Sequence, residues 1–302
     1  MTTLRLVLHA KQAQNPQVRT AVAALRASGH HIEVRPTWEA GDAGRLADEA
    51  RRLGIERVVA GGGDGTINEV AGGLLAAGSE APAFAIVPLG TANDFAHACG
   101  IPLDAGAALH LAAGVEPRPI DVGRAGGRLF VNDATGGFGT EITVETRPEL
   151  KKFLRGAAYL ITGLSHLAEL QPVEARFSGP DFSWAGRLLV LAVGNGRQAG
   201  GGHVLCPEAM LDDGLLDVSI LPEPPPGERI GVLRDLLREG KQALWRRAVS
   251  ARLPWLQLEA PEPLQVNLDG EPISGASLRF EVLQGALRAC LPEDAPVIRR
   301  SR

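Results

Sequence analysis

Apolar residues fall along the first third of the chain in short runs separated by longer amphipathic stretches. "LRLVLHA" (4–10) predicts a buried strand, "HIEVRPT" (31–37) an alternating one, and "IERVVAGG" (55–62) and "AFAIVPLG" (83–90) two more. Between them, "NPQVRTAVAALRASG" (15–29) predicts a helix with Asn15 as cap, Pro16 in the first turn and Gly29 as stop. "GDAGRLADEARRLG" (41–54) predicts a second helix, and a third runs from about Thr66 to Ala77. Strands alternating with helices imply a parallel sheet with crossover connections. Ligands of such sheets lie at the carboxyl ends of the strands. Three loops converge there: "RPTWE" (35–39), "GGGDG" (61–65) and "PLGTANDFA" (88–96).

Beyond about residue 118 the pattern changes. "RLFVNDATGGFG" (128–139) predicts strand and turn, and 148–170 one long helix. Then come "VEARFSG", "FSWAGRLLVLAVGNG", "LLDVSILPE", "LPWLQLEAP", "PLQVNLDGEPISG" and "ASLRFEVLQGALRACLPE", strands punctuated by Gly and Pro. They predict an antiparallel sandwich or barrel. In "LQVNLD" (264–269), Leu264, Val266 and Leu268 share one face and Gln265, Asn267 and Asp269 the other. The style changes near 122–127, giving domains at 1–124 and 125–302, with the last segment free to return to the first domain. No internal repeat or low-complexity tract is visible.

With 302 residues, 45% hydrophobic and 22% charged, two ordinary soluble domains are expected. A net charge of −4 speaks against a general nucleic-acid binder. Cys99, Cys206 and Cys290 form no CxxC pair, so neither a disulfide framework nor a zinc site is indicated, and a reducing cytosol fits. No run reaches the roughly 20 apolar residues of a membrane span, so membrane contact is expected to be peripheral. HExxH is absent, and Ser165–His166 lies in a helical pattern without a GxSxG elbow.

"AGGGDGTINEV" (60–70) joins a strand to a helix through glycines, yet its loop holds an acid, Asp64, and no lysine. It is neither a Walker A loop nor a dinucleotide fingerprint, because Thr66 stands where the last glycine of GxGxxG would be. Backbone N–H groups and a helix end opened by Thr66 favour phosphate. Asp64 opposes it: two unit charges about 4 Å apart repel by roughly 4 kcal/mol at an effective dielectric near 20. A bridging Mg²⁺ reverses that sign, which suits a metal–nucleotide complex. The plain alternative is a tight turn with an Asp helix cap.

"GGGDGTINEV", "PLGTANDFA", "NDATGGFGTEIT", "AVGNGRQAGGGHVLCPEAMLDDGLLDV" and "VNLDGEPISG" resemble the diacylglycerol-kinase catalytic family, and in particular its bacterial YegS-type lipid kinases, over almost the whole chain. The resemblance implies an α/β fold: an N-terminal parallel-sheet α/β domain, NAD-kinase-like, with a C-terminal β-rich antiparallel sandwich domain. It implies transfer of the γ-phosphate of ATP to a hydroxyl of a membrane lipid, phosphatidylglycerol or diacylglycerol. Rival readings are a NAD or sphingosine-type kinase and a non-catalytic nucleotide- or lipid-binding regulator. Implied nucleotide contacts are Thr37, Gly63, Asp64, Gly65, Thr66, Ile67, Asn68, Glu69 and Thr91, with Mg²⁺ accompanying ATP and Asp64 positioning the metal–phosphate complex. Asn93 can add a polar contact or serve only as a helix cap. Glu271, after the "NLDG" turn, is implied as the proton acceptor, with Asp269 as support. Met210 and Leu215 (backbone oxygens) and Asp213 (carboxylate) are implied ligands of a second-domain divalent cation, Mg²⁺ or Ca²⁺; Asp212 is an acid extra to that pattern. Arg197, in the glycine-rich 194–207, can close over phosphate or sit in an ordered loop. The amphipathic 227–249, with Arg234, Arg238, Lys241, Arg246 and Arg247, reads as a core-packing helix or as one resting on an anionic membrane. The expected setting is cytoplasmic, at the inner face of the membrane.

Overall fold

The computed structural model describes residues 1–76, 81–137, 172–199, 201–225, 227–228 and 246–299. The chain divides into two compact units: Met1–Val122 with Met210–Gly214 and Leu283–Arg302, and Gly123–Ala209 with Leu215–Val282.

In the first unit the elements are β1 (Thr3–Leu8), a 3-10 turn (Ala10–Gln12), α1 (Pro16–Ala27), β2 (His31–Pro36), α2 (Asp42–Arg52), β3 (Arg57–Gly62), α3 (Asp64–Leu75), β4 (Ala83–Pro88), α4 (Asp94–Cys99), α5 (Ala105–Gly114) and the start of β5 (Arg118–Ala125). The expected alternation is present, with Asn15 capping α1 through the Gln17 amide. The order is β4-β3-β1-β2, all parallel. Register aligns Leu8 with Pro36 and Gly61, and Gly62 with Pro88, so four strands end on one edge. Leu4, Leu6, Leu8, Val59, Ala85 and Val87 pack against Val18, Val22 and Leu25 of α1. At the centre of β1, fully buried Arg5 reaches Glu33 and Glu49, each at 2.8 Å, and the Leu46 carbonyl at 3.0 Å. A buried charge must be paired this way, and the pairing ties β1 to β2 and α2.

The second unit is built from the end of β5, β6 (Arg128–Phe130), β7 (Asp133–Gly136), β8 (Val173–Gly179), β9 (Phe182–Gly194), β10 (Gln198–Ala199), β11 (His203–Val204), β12 (Leu216–Pro222), β13 (Val249–Leu253), β14 (Trp255–Leu268) and most of β15 (Glu271–Ala289). Pairing is antiparallel in the order β13-β12-β9-β7-β14-β15, with β8 between β9 and β14. The alternation read in 264–269 is observed: Leu264, Val266 and Leu268 are buried in a core with Leu256, Leu258, Phe177 and Phe280. The helix expected over 148–170 and most of the amphipathic 227–249 lie outside the described residues.

Two expectations are corrected. The third helix begins at Asp64, not Thr66: Gly63 takes the cap position in extended geometry, and Thr66 is buried in the first turn. Met210–Gly214, expected with the second domain, belongs to the first unit. The Leu211 amide donates to the Val297 carbonyl (2.8 Å), and the Asp121 amide donates to the Leu211 carbonyl (2.6 Å).

Candidate active site

On the edge where β1–β4 end, two loops lie back to back. A Cβ on Gly90 would sit 2.5 Å from the Gly63 Cα, so Gly90 has no room for a side chain, and one on Gly63 would come within 3.1 Å of the Gly90 Cα, a tight contact. The Leu89 amide donates to the Gly62 carbonyl at 2.8 Å, fixing the loops in register. Asp64 opens α3 and Asp94 opens α4. Burial pushes the Asp64 carboxyl up. The Phe95 amide, donating to its Oδ1 at 3.3 Å, pulls the other way, and the charge of Asp94 adds to the rise. Two acids thus stand at the starts of neighbouring helices, and the charge of one raises the cost of ionising the other.

The other residues on this edge divide. The Thr37 hydroxyl accepts from the Ala10 amide at 3.2 Å, and its own amide donates to the Leu8 carbonyl. Thr91 is exposed. Asn93 does not point outward for a ligand: its Oδ1 accepts from the Gly90 amide (2.8 Å) and its Nδ2 donates to the Gly90 carbonyl (3.0 Å), closing 90–93 at a φ of 51°. Glu69 accepts from the amides of Gly41 (3.1 Å) and Ala43 (3.3 Å), capping α2, whose own cap residue is a glycine. Ile67 is wholly buried, and Asn68 is half-buried on α3. Gly65 is exposed, and a Cβ there would meet nothing within 4 Å. Lys11, which sequence reasoning passed over, sits in the 3-10 turn after β1, exposed and with no ion-pair partner among the described residues.

In the second unit, three of the quoted motifs meet. β14 and β15 join through Asp269 (φ 48°) and Gly270 (φ 97°), the left-handed pair of a tight hairpin, with Leu268 opposite Glu271. The Asn267 Oδ1 accepts from the Gly270 amide at 2.6 Å. The Asp269 carboxylate accepts three consecutive amides, Val131 (2.5 Å), Asn132 (3.0 Å) and Asp133 (2.9 Å). The Asn132 carbonyl accepts from Asn195 (2.9 Å) and Gly196 (2.7 Å), and the Asn195 Nδ2 donates to the Val131 carbonyl (2.8 Å). Segments 131–133, 194–196 and 267–271 are therefore one bonded cluster, with Glu271 exposed at its tip. Arg197 belongs to the ordered-loop reading, since its Nε donates to the Ala209 carbonyl at 2.9 Å.

Around 210–215, Asp213 lies near Asp121, an acid with no motif to announce it. Asp121 is 1% exposed and accepts from the amides of Gly214 (2.6 Å) and Gly285 (2.7 Å). Burial pushes its carboxyl up despite those bonds, and Asp213 and Asp212 push it further. The extra acid Asp212 holds the C-terminal segment, accepting from the Arg299 amide at 3.1 Å. Met210 is in the same excursion, and Leu215 is the first residue after it, in the second unit. Among the described residues no group of three His, Cys, Asp or Glu side chains is arranged to hold a metal, and no helix is long and apolar enough to cross a membrane. At the ends of 227–249, Arg247 pairs with Glu228 at 3.3 Å.

Residues 6–125 match the family model of the diacylglycerol kinase catalytic domain, and residues 135–291 that of the YegS C-terminal NAD kinase beta sandwich-like domain. A protein named "Probable lipid kinase YegS-like" from Pseudomonas aeruginosa strain UCBPP-PA14 is 56% identical over 296 residues, 97% of this chain and 96% of that one. One of the same name from Pseudomonas savastanoi pv. phaseolicola is 53% identical over 98% of this chain and 95% of its own. Among solved structures, "Crystal structure of a putative diacylglycerol kinase from Bacillus anthracis str. Sterne" superposes with a TM-score of 0.81 at 22% identity, covering 97% of this chain and 96% of the other, a likeness of fold.

Proposed function

The chain belongs to the diacylglycerol kinase catalytic family, and from that premise we propose that it is an ATP-dependent lipid kinase, with phosphatidylglycerol or diacylglycerol as acceptor. Gly65 is the observation that carries the nucleotide part of this reading. The glycines at 63 and 90 are explained by packing against each other, and Gly270 by its turn. Gly65 has an ordinary backbone, open space around it, and a place in the first helical turn where alanine would be roughly 0.5–1 kcal/mol better. At the N-terminus of α3 a bare position leaves the backbone open to close approach, which suits a triphosphate.

In this reading Gly63, Asp64, Gly65 and Thr66 surround the phosphates, with Thr37 and Thr91 at the neighbouring strand ends and Ile67, Asn68 and Glu69 holding the helix behind them. Ile67 and Glu69 act through the frame, because one side chain is in the core and the other caps α2. Asp64 would hold the Mg²⁺ that accompanies ATP, and Lys11 would add a positive charge the loop itself lacks. The metal supplies charge neutralisation at the phosphates. Glu271 takes the proton of the acceptor hydroxyl, whose oxygen then attacks the γ-phosphorus as ADP departs. Asp269 keeps the hairpin tip in place. The Met210 and Leu215 carbonyls and the Asp213 carboxylate would be the oxygen ligands of a Mg²⁺ or Ca²⁺, the donor type such cations take. The protein works in the cytoplasm, touching the inner membrane face peripherally.

The test is a labelled-ATP assay with vesicles of phosphatidylglycerol or diacylglycerol, and with NAD as a soluble acceptor. Labelled phospholipid supports the reading. Nucleotide binding without any lipid product leaves a regulator, and labelled NADP moves the chain to the NAD-kinase branch.

A further inference from the structure

Trp38 is 93% exposed. The other tryptophans among the described residues are packed: Trp184 lies 5.7 Å from the Phe177 ring, and Trp255 lies under the Arg279 guanidinium at 4.2 Å. An indole left in water forgoes burial that tryptophan usually finds, so its exposure invites a partner.

The backbone beneath it is held firmly. Thr37 donates its amide to Leu8 and accepts from Ala10 through its hydroxyl. The amides of Trp38 (2.7 Å) and Glu39 (3.1 Å) both donate to the Asp42 carboxylate, while those of Gly41 and Ala43 donate to Glu69 of α3. The ties of Thr37 run to β1 and the turn after it, and those of 38–43 to Asp42 of α2 and to Glu69 of α3, the helix that opens at the glycine edge. The indole takes part in none of them.

We propose that Trp38 is the stacking platform for the purine base of the bound nucleotide, an inference that rests on the nucleotide reading above. An exposed indole on a held backbone, next to Thr37 at the end of β2, suits a planar ring whose phosphates lie at the N-terminus of α3. Base–aromatic stacking needs no hydrogen-bond partner on the protein. A lipid surface is the less fitting occupant. Interfacial anchors sit among unpaired basic residues. Here Arg35 is paired with Glu33 (2.5 Å) and Arg45 with Asp42 (2.7 Å), which leaves Lys11 as a single cation near the loop without an ion-pair partner among the described residues, where an anionic-membrane anchor gathers several.

Calorimetric titration of the full chain separates the outcomes, using Mg–ATP and, as a baseless probe, magnesium tripolyphosphate. Trp38→Ala is expected to bind Mg–ATP about tenfold more weakly. Trp38→Phe should stay within about threefold of wild type, since it keeps an aromatic face. Tripolyphosphate affinity should be the same in all three. Unchanged Mg–ATP affinity in Trp38→Ala overturns the inference. So does an equal loss for tripolyphosphate, which would mean a disturbed loop, or lost binding to phosphatidylglycerol vesicles with Mg–ATP affinity intact, which would mean a lipid contact. A wild-type chain that binds no Mg–ATP sinks the nucleotide reading itself, and a wild type that binds it while Trp38→Ala binds equally well sinks the platform alone.

Discussion

The glycine edge of the first unit and the hairpin tip of the second solve opposite problems. At the edge the chain clears side chains away, leaving one half-buried acid in the first turn of α3. Gly63 and Gly90 touch, Gly65 is bare, and Asp64 is pushed toward its neutral form by burial. At the tip, a two-residue turn presents an exposed acid, Glu271, while another acid, Asp269, holds the amides of 131–133. The lesson is that an acid's motif position does not give its work. Of the two acids in "DGE", Asp269 is bonded to three amides and Glu271 is exposed.

The sharpest way to break this contrast is at the tip. Glu271→Gln should lower turnover at least about a hundredfold with Mg–ATP affinity nearly intact. Turnover that does not change removes Glu271 from proton transfer. At the edge, Asp64→Asn should weaken Mg–ATP at least about tenfold in metal-dependent titrations. The same variant should be more stable than wild type without ligand at neutral pH. The folded carboxyl is raised above its ordinary 3.8, so its favourable contribution is complete below that value and is lost as pH rises through the elevated one. The gap in melting midpoint between the two proteins should therefore widen with pH and close in acid. A variant that melts below wild type at pH 7.5 contradicts the burial argument.

The two kinds of edge glycine sharpen the contrast further. Gly65→Ala should keep or raise the melting midpoint and cost about tenfold in Mg–ATP affinity, because the new methyl faces only the opening. Gly90→Ala should lose both together, with stability down about 1–3 kcal/mol, because its Cβ meets Gly63 backbone. Equal behaviour of the two variants in paired melting and binding experiments would erase the distinction between packing glycines and ligand glycines.

Much of this was legible in the sequence because it is written locally. The cap at Asn15, the strand alternation of 264–268 and the "NLDG" turn are patterns of neighbouring residues, and each is present. What was illegible depends on partners far along the chain. Asp121 becomes notable only beside Gly214 and Gly285, 93 and 164 residues away. Glu69 looks like a loop acid until α2, starting with a glycine cap, needs an acceptor. Thr66 resembled a helix cap because threonine commonly is one, yet the extended Gly63 took that place. The excursion of 210–214 into the first unit is set by backbone bonds to 121 and 297, which no local pattern records.

The smallest expected effects compare like with like, since both regions pin a loop with one carboxylate. Asp269 serves three amides with two oxygens; Asp42 serves two amides with one oxygen and Arg45 with the other. Asp269→Asn keeps one acceptor oxygen and replaces the other with a donor facing amides, which should cost about 1–3 kcal/mol and slow turnover by displacing the tip. Asp42→Asn loses an exposed arginine partner and keeps an acceptor for the loop, so its midpoint shift should be the smaller. The pH signature identifies which bond matters. Arg45 first, then the loop amides, hold Asp42 at about 2, below its ordinary 3.8, so its contribution is present above 3.8 and disappears as pH falls through about 2. Wild type and Asp42→Asn should therefore differ in melting midpoint at pH 6 and converge as pH falls below 3. Curves that run parallel through that window would place the loop's rigidity in the Glu69 bonds, leaving Asp42 a minor tie.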